Sequence, residues 1–333
     1  MSRLSSQISE SAEKVNRFIE KVVDVENEPK LLYRAARHII DAGGKRLRPY
    51  LVLKSCKLVG GKEEDAIPTA AALELLHTFT LLHDDIMDKD EKRRGVPTVH
   101  NKWGVPIAIV AGDLLFAKVY EVITKFTDAK HVAPKRLVQV LKEISEATVT
   151  ICEGQTLDMM FESKQTVSED EYFEMIKAKT AVLFETSAKC GGILGGANNT
   201  QVERLGEFGR YAGIAFQVID DILGLIADEK ILRKPVGNDI REGKRTLIVV
   251  HALEKASKNQ KKRILETLGD GSASPERIRE TIELIDSLGA IDYAKEVAEK
   301  YIERAKEALA NFPASEDRED LISLSDLIFA RQH

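Results

Sequence analysis

AIPTAAALELLHTFTLLHDDIMDKDEKRRG, residues 66–95, is apolar at helical intervals as far as Leu82 and then ends in three aspartates, Asp84, Asp85 and Asp88, followed by Arg93 and Arg94. The spacing predicts one long helix over 66–89, with Asp65 as its cap and Pro68 in the first turn, where a missing N–H is harmless. On such a helix, residues four apart share a face. Asp84 and Asp88 therefore stand side by side, while Asp85 is turned about 100° away. Two like charges at that spacing repel by about 0.2–0.5 kcal/mol when nothing sits between them. Mg²⁺ suits the pair, because it takes one or two carboxylates and completes its shell with water and phosphate oxygens. Arg93 and Arg94 would then donate directly to a phosphate. Read alone, the stretch is explained equally well as an acidic helix end in solvent, balanced by arginines. A calcium loop starting at Asp88 fails: Arg93 stands where its sharp turn needs glycine, and Val99 where it needs glutamate.

Outward from this helix the same period continues. Apolar residues recur every three or four positions over roughly 3–25, 28–42, 45–60, 105–128, 131–153, 168–188, 201–228, 242–257, 259–267, 275–288, 290–311 and 317–331, each read as a helix. Strand-like alternation is scarce, and no repeat, low-complexity tract or linker interrupts the pattern. The expectation is an all-α fold in one domain, 1–333. The 43% hydrophobic residues of the 333-residue chain are enough for a sizeable core.

Charge excludes one class of partner. The 49 basic and 54 acidic residues are interspersed and sum to -5, which gives no footprint for a nucleic acid. Cys56, Cys152 and Cys190 are an odd number at unrelated spacings. They read as small buried residues of a reduced compartment, neither a disulfide frame nor a zinc site. The N-terminal stretch carries Ile8, Val15, Phe18, Ile19 and Val22 at helical spacing, an amphipathic helix instead of a signal peptide. No uncharged apolar run reaches the ~20 residues that span a bilayer, and the closest, PIAIVAGDLLFAKVY, is cut by Asp113. A soluble, cytoplasmic protein is expected.

Two further stretches carry phosphate-type chemistry. AGGKRLRP, residues 42–49, sets flexible glycines before Lys45, Arg46 and Arg48, so several cations can reach one polyanion. It lacks the spacing and the Ser or Thr of a nucleotide loop, and an ordinary surface turn has the same composition. FQVIDDILGLIADEK, residues 216–230, ends a second apolar helix in Asp220 and Asp221. Gly224 occupies the position four beyond Asp220, and Asp228 falls a turn later. KPVGNDIREGKRT then brackets a glycine- and proline-bearing loop with Lys234 and Lys244, a composition that suits a mobile charged lid. Back along the helix from Asp220 lie Phe216, Gln217, Gly213, Ala212 and Gly209. Small residues there leave either a groove or a close helix–helix contact.

Together these segments resemble the trans-isoprenyl diphosphate synthase family: GGKRLRP at 43–49, LHTFTLLHDDIMDKDEKRRG at 76–95, GQTLD at 154–158, the KT pair at 179–180, FQVIDD at 216–221 and KPVGNDIREGK at 234–244. The order matches the family's and spans most of the chain. The resemblance implies an isoprenoid synthase helical bundle around a central cavity, as a homodimer. It implies condensation of isopentenyl diphosphate with a dimethylallyl, geranyl or farnesyl diphosphate by ionisation, condensation and elimination. Asp84 and Asp88 look like ligands of two Mg²⁺ ions and Asp220 of a third, with Mn²⁺ as a substitute. Arg93, Lys179, Thr180, Gln217, Lys234 and Lys244 match positions that bind the allylic diphosphate. Lys45, Arg48, His77 and Arg94 match the isopentenyl diphosphate site, and Gln155 and Asp158 look like supports near the metals. Gly224 departs from the family, which often has aspartate there. With Asp220 as the main ligand, activity is expected to survive that change, and Asp228 reads as a solvated helix end.

Product length is read from Phe79 and Thr80. Phe79 precedes Asp84 by five residues, roughly 7.5 Å down the helix, and the local HTFTLLHDDIMD looks like the archaeal type that makes a twenty-carbon product. A core phenylalanine remote from substrate is the bland alternative. Two rivals share parts of the pattern. A terpene cyclase of the same fold would not need the second set of cations, Lys45, Arg48 and Arg94. A non-catalytic subunit of a hetero-oligomer would be expected to lose the first aspartate motif as well.

Overall fold

The computed structural model describes residues 3–164, 166–226 and 237–330. The regular structure is helical: α1 Arg3–Val22, α2 Lys30–Asp41, α3 Leu47–Leu58, α4 Glu63–Met87, α5 Val99–Trp103, α6 Val105–Phe126, α7 Pro134–Ser163, α8 Glu169–Ile176, α9 Val182–Gly195 and α10 Asn199–Ile226. After the segment outside the described residues come α11 Asn238–Glu242, α12 Leu247–Lys255, α13 Lys258–Thr267, α14 Pro275–Ser287, α15 Ala290–Ala308 and α16 Glu316–Phe329. The exceptions are a two-stranded hairpin, β1 Lys92–Arg93 paired antiparallel with β2 Val96–Pro97, and a π-helical segment, Lys177–Ala181, between α8 and α9.

The chain divides into two compact units. The first comprises Met1–Ser145, Thr186–Gly206 and Asn311–Leu321. Its centre is α4, packed along α6 and α3. Leu73, Leu75 and Leu76 of α4 and Leu51 and Leu53 of α3 are almost wholly buried, each worth about 1.5–3 kcal/mol of transfer free energy. A Leu76→Ala change would cost about 2–5 kcal/mol. Because α3 is buried nearly all round, its one charged interior residue must be paired. Lys54 Nζ lies 2.7 Å from Asp320 Oδ2, which ties α16 to this unit.

The second unit comprises Glu146–Glu185, Glu207–Ala310 and Ile322–His333. In it α12 packs on α15, and α13 on α14. The capping boxes Ser168/Glu171 and Ser257/Gln260 start α8 and α13, satisfying N–H groups that have no partner inside the helix. Four of the unit boundaries fall within α7, α9, α10 and α16, and the fifth falls between α15 and α16.

Several sequence expectations are corrected. Helix α4 begins at Glu63 with Lys62 as its cap. Pro68 therefore lies inside the helix, and Asp65 faces His131, 3.1 Å away. Three acids, Glu63, Glu64 and Asp65, fill the first turn and favour the earlier start through the helix dipole. The helix expected over 131–153 runs on to Ser163, so GQTLD is helical. Residues expected in one helix over 242–257 divide at Gly243, a left-handed cap with φ 78°. Cys56 and Cys190 are buried as expected, but Cys152 is exposed, on an outward face of the longer α7. Gly209 and Gly213 leave no groove. A β-carbon at Gly209 would lie 2.5 Å from the Phe184 carbonyl oxygen, and one at Gly213 2.7 Å from Ala181 Cα, so these glycines admit a neighbouring backbone. Asp228 and Lys234 lie outside the described residues. Among the described residues, no helix is long and apolar enough to cross a membrane.

Candidate active site

The first unit gathers one set of predicted residues. Helix α4 ends at Met87, and the Asp88 N–H still donates to the Asp84 carbonyl at 2.8 Å, so the i,i+4 relation of the two aspartates holds. Both are half-buried, whereas Asp85 is 1% exposed. Asp85, which has no task on sequence grounds, accepts from Arg93 Nε, and Asp90 accepts from the same guanidinium at 3.3 Å. These acids outweigh burial and hold the Arg93 guanidinium above its ordinary range.

Arg93 and Arg94 are adjacent, yet they are sent apart by the hairpin. Arg94 and Gly95 both have positive φ, 55° and 82°, the pattern of a tight two-residue β-turn whose twist matches its strands. Arg94 then donates to the carbonyls of Ile39, at 2.9 Å, and Gly43. That brings it onto the Gly-Gly-basic stretch. Gly44 is favoured there by its positive φ of 135°, and a β-carbon would also crowd the Arg46 and Arg94 guanidiniums, at 2.7 and 2.9 Å.

Within that stretch the three cations have different tasks. Arg46 is buried, 2.9 Å from Glu74, and donates to Ile40, Gly43 and Asn16. It is a structural pin, not a free phosphate donor. Lys45 is exposed and Arg48 half-buried. Burial, opposed by Glu74 and reinforced by Arg94, draws the Arg48 guanidinium down to about 10, which leaves it charged at neutral pH. His77 sits among these arginines. Burial, then the charges of Arg48, Arg94, Arg93 and Arg46, press its imidazole well below its usual range, so it is neutral. A half-buried surface carrying several cations attracts an anion.

One turn up from His77 on α4, Thr80 donates to the His77 carbonyl at 2.8 Å. The Phe79 ring is half-buried, 5.3 Å from Phe116 of α6 and 4.8 Å from His83.

The second unit gathers the rest. The Lys179–Thr180 pair lies in the π-helical segment, a local widening of the helix that often marks a working site. Gly154 makes room for it: a β-carbon there would be 2.3 Å from the Lys179 backbone nitrogen. One turn along α7, Asp158 accepts from Lys179 at 2.5 Å and from Lys244 at 3.4 Å, and Glu162 accepts from Lys244 at 2.7 Å. Burial alone would raise the Asp158 carboxyl, but the two lysines more than offset it and hold it below the ordinary range. Two cations are thereby kept together on one buried acid.

A second chain of hydrogen bonds starts at Thr180. Its hydroxyl donates to Gln217 Oε1 at 2.8 Å, Gln217 Nε2 to Asp221 Oδ1 at 2.8 Å, and the Tyr172 hydroxyl to Asp221 Oδ2 at 2.7 Å. Asp220 is exposed, while Asp221 is 7% exposed. Burial and the nearby Asp239 carboxylate push Asp221 well above the usual carboxylate range, against the lowering effect of Gln217 and Tyr172. Where Gly224 has no side chain, Asp239 Oδ2 approaches within 2.7 Å of its β-carbon position. Tyr172, Glu162 and Asp239 were not singled out from sequence. Glu162 alone had a signal, its i,i+4 relation to Asp158, hidden by ending the helix at 153.

Among the described residues, no group of three or more His, Cys, Asp or Glu side chains is placed to hold a metal by itself. Asp84 with Asp88, and Asp220, are hard oxygen donors reaching toward solvent, and such sets suit Mg²⁺ that keeps water and phosphate oxygens in its shell.

Comparison with known proteins places the chain. The model of the polyprenyl synthetase family matches residues 29–285. The geranylgeranyl pyrophosphate synthase of Geoglobus acetivorans is 44% identical over 330 residues, 99% of this chain and 100% of that one. The crystal structure of geranylgeranyl pyrophosphate synthetase from Pyrococcus horikoshii superposes with a TM-score of 0.92 at 47% identity, covering 98% of each chain. A polyprenyl synthase from Caulobacter crescentus, solved with calcium and isoprenyl diphosphate, gives 0.90 at 33% identity over 99% and 98%.

Proposed function

The chain belongs to the polyprenyl synthetase family, and from that premise we propose that it is a prenyltransferase that condenses isopentenyl diphosphate with an allylic diphosphate, mainly to geranylgeranyl diphosphate. The observation that carries the reading is the placing of Arg48 and Arg94 near a neutral, half-buried His77, in addition to a separate pair of lysines held by Asp158. Two substrates with diphosphate heads need two sets of cations. A cyclase acting on one diphosphate needs only one, so this observation disfavours it. The first aspartate motif is intact, which disfavours a non-catalytic subunit.

Lys45, Arg48 and Arg94, beside neutral His77, hold the head of isopentenyl diphosphate. Lys179, Thr180, Gln217 and Lys244, with Arg93 and Lys234, hold the allylic head. Asp84, Asp88 and Asp220 hold Mg²⁺, with three ions per site and Mn²⁺ as a substitute. Bound Mg²⁺ supplies Lewis-acid stabilisation of the charge that develops on the departing diphosphate. The allylic C–O bond breaks, the double bond of isopentenyl diphosphate attacks the allylic cation, and a proton passes from the adduct to the released diphosphate. Lys179 and Lys244 stabilise that leaving group through preset positions. Phe79, backed by Phe116, is the floor that ends chain growth, with Thr80 beside it.

The two compact units work as one domain, a reading supported by four of their five boundaries lying within continuous helices. A second copy covers α6, whose Val105, Ile109 and Val110 are 43%, 43% and 49% exposed, making a homodimer of a soluble cytoplasmic enzyme.

The test is radiolabelled isopentenyl diphosphate with each allylic primer and Mg²⁺, with products resolved by length. A twenty-carbon diphosphate made by the purified single chain is expected. Hydrocarbon released from geranylgeranyl diphosphate alone would establish the cyclase instead, and no product from any primer would establish the non-catalytic subunit.

A further inference from the structure

Helices α4 and α6 meet through two pairs of residues, each spaced by one turn. On α4 these are Phe79 and His83, and on α6 Gly112 and Phe116. Phe79 lies against Phe116, ring on ring, with centroids 5.3 Å apart. His83 lies against Gly112, a side chain on a void. A β-carbon at Gly112 would stand 2.3 Å from His83 Nε2 and 2.7 Å from its Cδ2, so the imidazole fills the place where any other residue would put its first side-chain atom. The ring has a polar anchor in the same notch, since Nε2 is 3.3 Å from the carbonyl oxygen of Ile109, one turn before Gly112. Its other contact is with Phe79, edge to face, at 4.8 Å and 66°.

The Phe79 ring is therefore held on two sides, by Phe116 from across and by His83 from above. A half-buried phenylalanine with one wall removed can swing about its first side-chain torsion, because staggered rotamers compete closely where packing does not choose between them. A floor that swings aside does not stop a growing chain.

We propose that His83, seated in the notch of Gly112, is a positioning residue that fixes the Phe79 ring and thereby sets product length. The proposal rests on the reading of Phe79 as the floor of the product channel. It gives Gly112 a task in specificity as well as in packing, and it gives His83 a task separate from the neighbouring Asp84.

The experiment compares product length in Phe79→Ala, His83→Ala, Gly112→Ala and the His83→Ala/Gly112→Ala double variant, at saturating Mg²⁺, with turnover measured separately. An edge-to-face aromatic contact confines its rings by about fivefold, the equivalent of about 1 kcal/mol. His83→Ala is expected to raise the ratio of twenty-five- to twenty-carbon product by about that factor. Gly112→Ala, by expelling the imidazole, is expected to shift the ratio too. The double variant should match His83→Ala alone, because the new methyl then meets empty space, and such non-additivity marks direct coupling. A purely structural role would lower yield or thermal midpoint and leave the ratio unmoved. If His83→Ala does not fold, His83→Leu, which fills much of the same space without the ring or the anchor, takes its place. Lengthened product from Phe79→Ala with unchanged ratios in the His83 and Gly112 variants would overturn the proposal and leave the floor in place. Unchanged product from Phe79→Ala would overturn the floor itself.

Discussion

The two aspartate-ended helices use the same device with opposite electrostatics. In each, one of two adjacent aspartates reaches outward, Asp84 or Asp220, and its neighbour turns in, Asp85 or Asp221. The inward Asp85 is met by a cation, Arg93. The inward Asp221 is met by neutral donors, Tyr172 and Gln217, and by a further acid, Asp239. The first pairing spends one of the site's own arginines to keep a buried charge, whereas the second needs no cation because its carboxyl is drawn toward the protonated form. In the second unit Lys179 and Lys244 gather instead on Asp158, one turn along α7 from Gly154. An inward aspartate is thus a brace, and its partner decides how much breaks when it is removed.

The outward aspartates test the comparison most severely. Asp84→Ala is expected to lower kcat/KM by about 100-fold or more, since charge on a departing diphosphate is worth several kcal/mol. Steady-state kinetics at saturating Mg²⁺ check this, and near-native turnover would remove Asp84 from the mechanism. The inward residues should then differ from each other. Asp85→Asn breaks a pair between a fully buried acid and a guanidinium that keeps some solvent, at a cost of about 2–3 kcal/mol, below the range for fully buried pairs. Asp221→Asn keeps an acceptor for its neutral donors and should cost about 1 kcal/mol or less. Denaturant midpoints of the two variants measure the contrast, and equal losses would break it.

His77 supplies a pH dependence with a definite sign. Its folded-state pKa is depressed by burial and by Arg48, Arg94, Arg93 and Arg46. The unfolded chain therefore binds a proton below about pH 6.5 that the folded chain refuses, and stability falls as pH drops through that value. His77→Asn should flatten this part of the stability curve, measured as thermal midpoint between about pH 7 and 5. An unchanged slope would mean that another group carries it.

Gly224 gives the smallest effect. A β-carbon there meets only the far end of the Asp239 side chain, which can give way. Gly224→Ala should thus be nearly neutral in rate, and Gly224→Asp should change rate modestly while lowering the thermal midpoint by a few degrees through like-charge crowding beside Asp239. A gain of several orders of magnitude in rate would show that the native chain is catalytically impaired.

Much of the fold was legible because long amphipathic helices announce themselves by period, as α4 does from Leu73 to Asp88. What escaped was local and set by contacts. The π-helical turn at Lys177–Ala181 packs its backbone against Gly154, which no spacing in the segment itself reveals. The hairpin at Lys92–Pro97 depends on Arg94 taking a left-handed conformation that arginine rarely adopts. In the candidate site the outward acids and most cations were readable as residue types at helical spacing. Their braces, Tyr172, Glu162 and the buried side of Asp85, were not, because a brace is defined by what it faces. Arg46 shows the reverse error: a cation in a basic run that is bound to Glu74 from birth.

The central proposal is that Asp84, Asp88 and Asp220 are ligands of divalent ions that take up a diphosphate. Counting Mn²⁺ bound per chain by electron paramagnetic resonance, with inorganic diphosphate present, tests it most directly. The account predicts three ions for the native chain, the loss of two in Asp84→Ala and of one in Asp220→Ala, each with weaker diphosphate binding. Full occupancy and unchanged diphosphate affinity in either variant would contradict it.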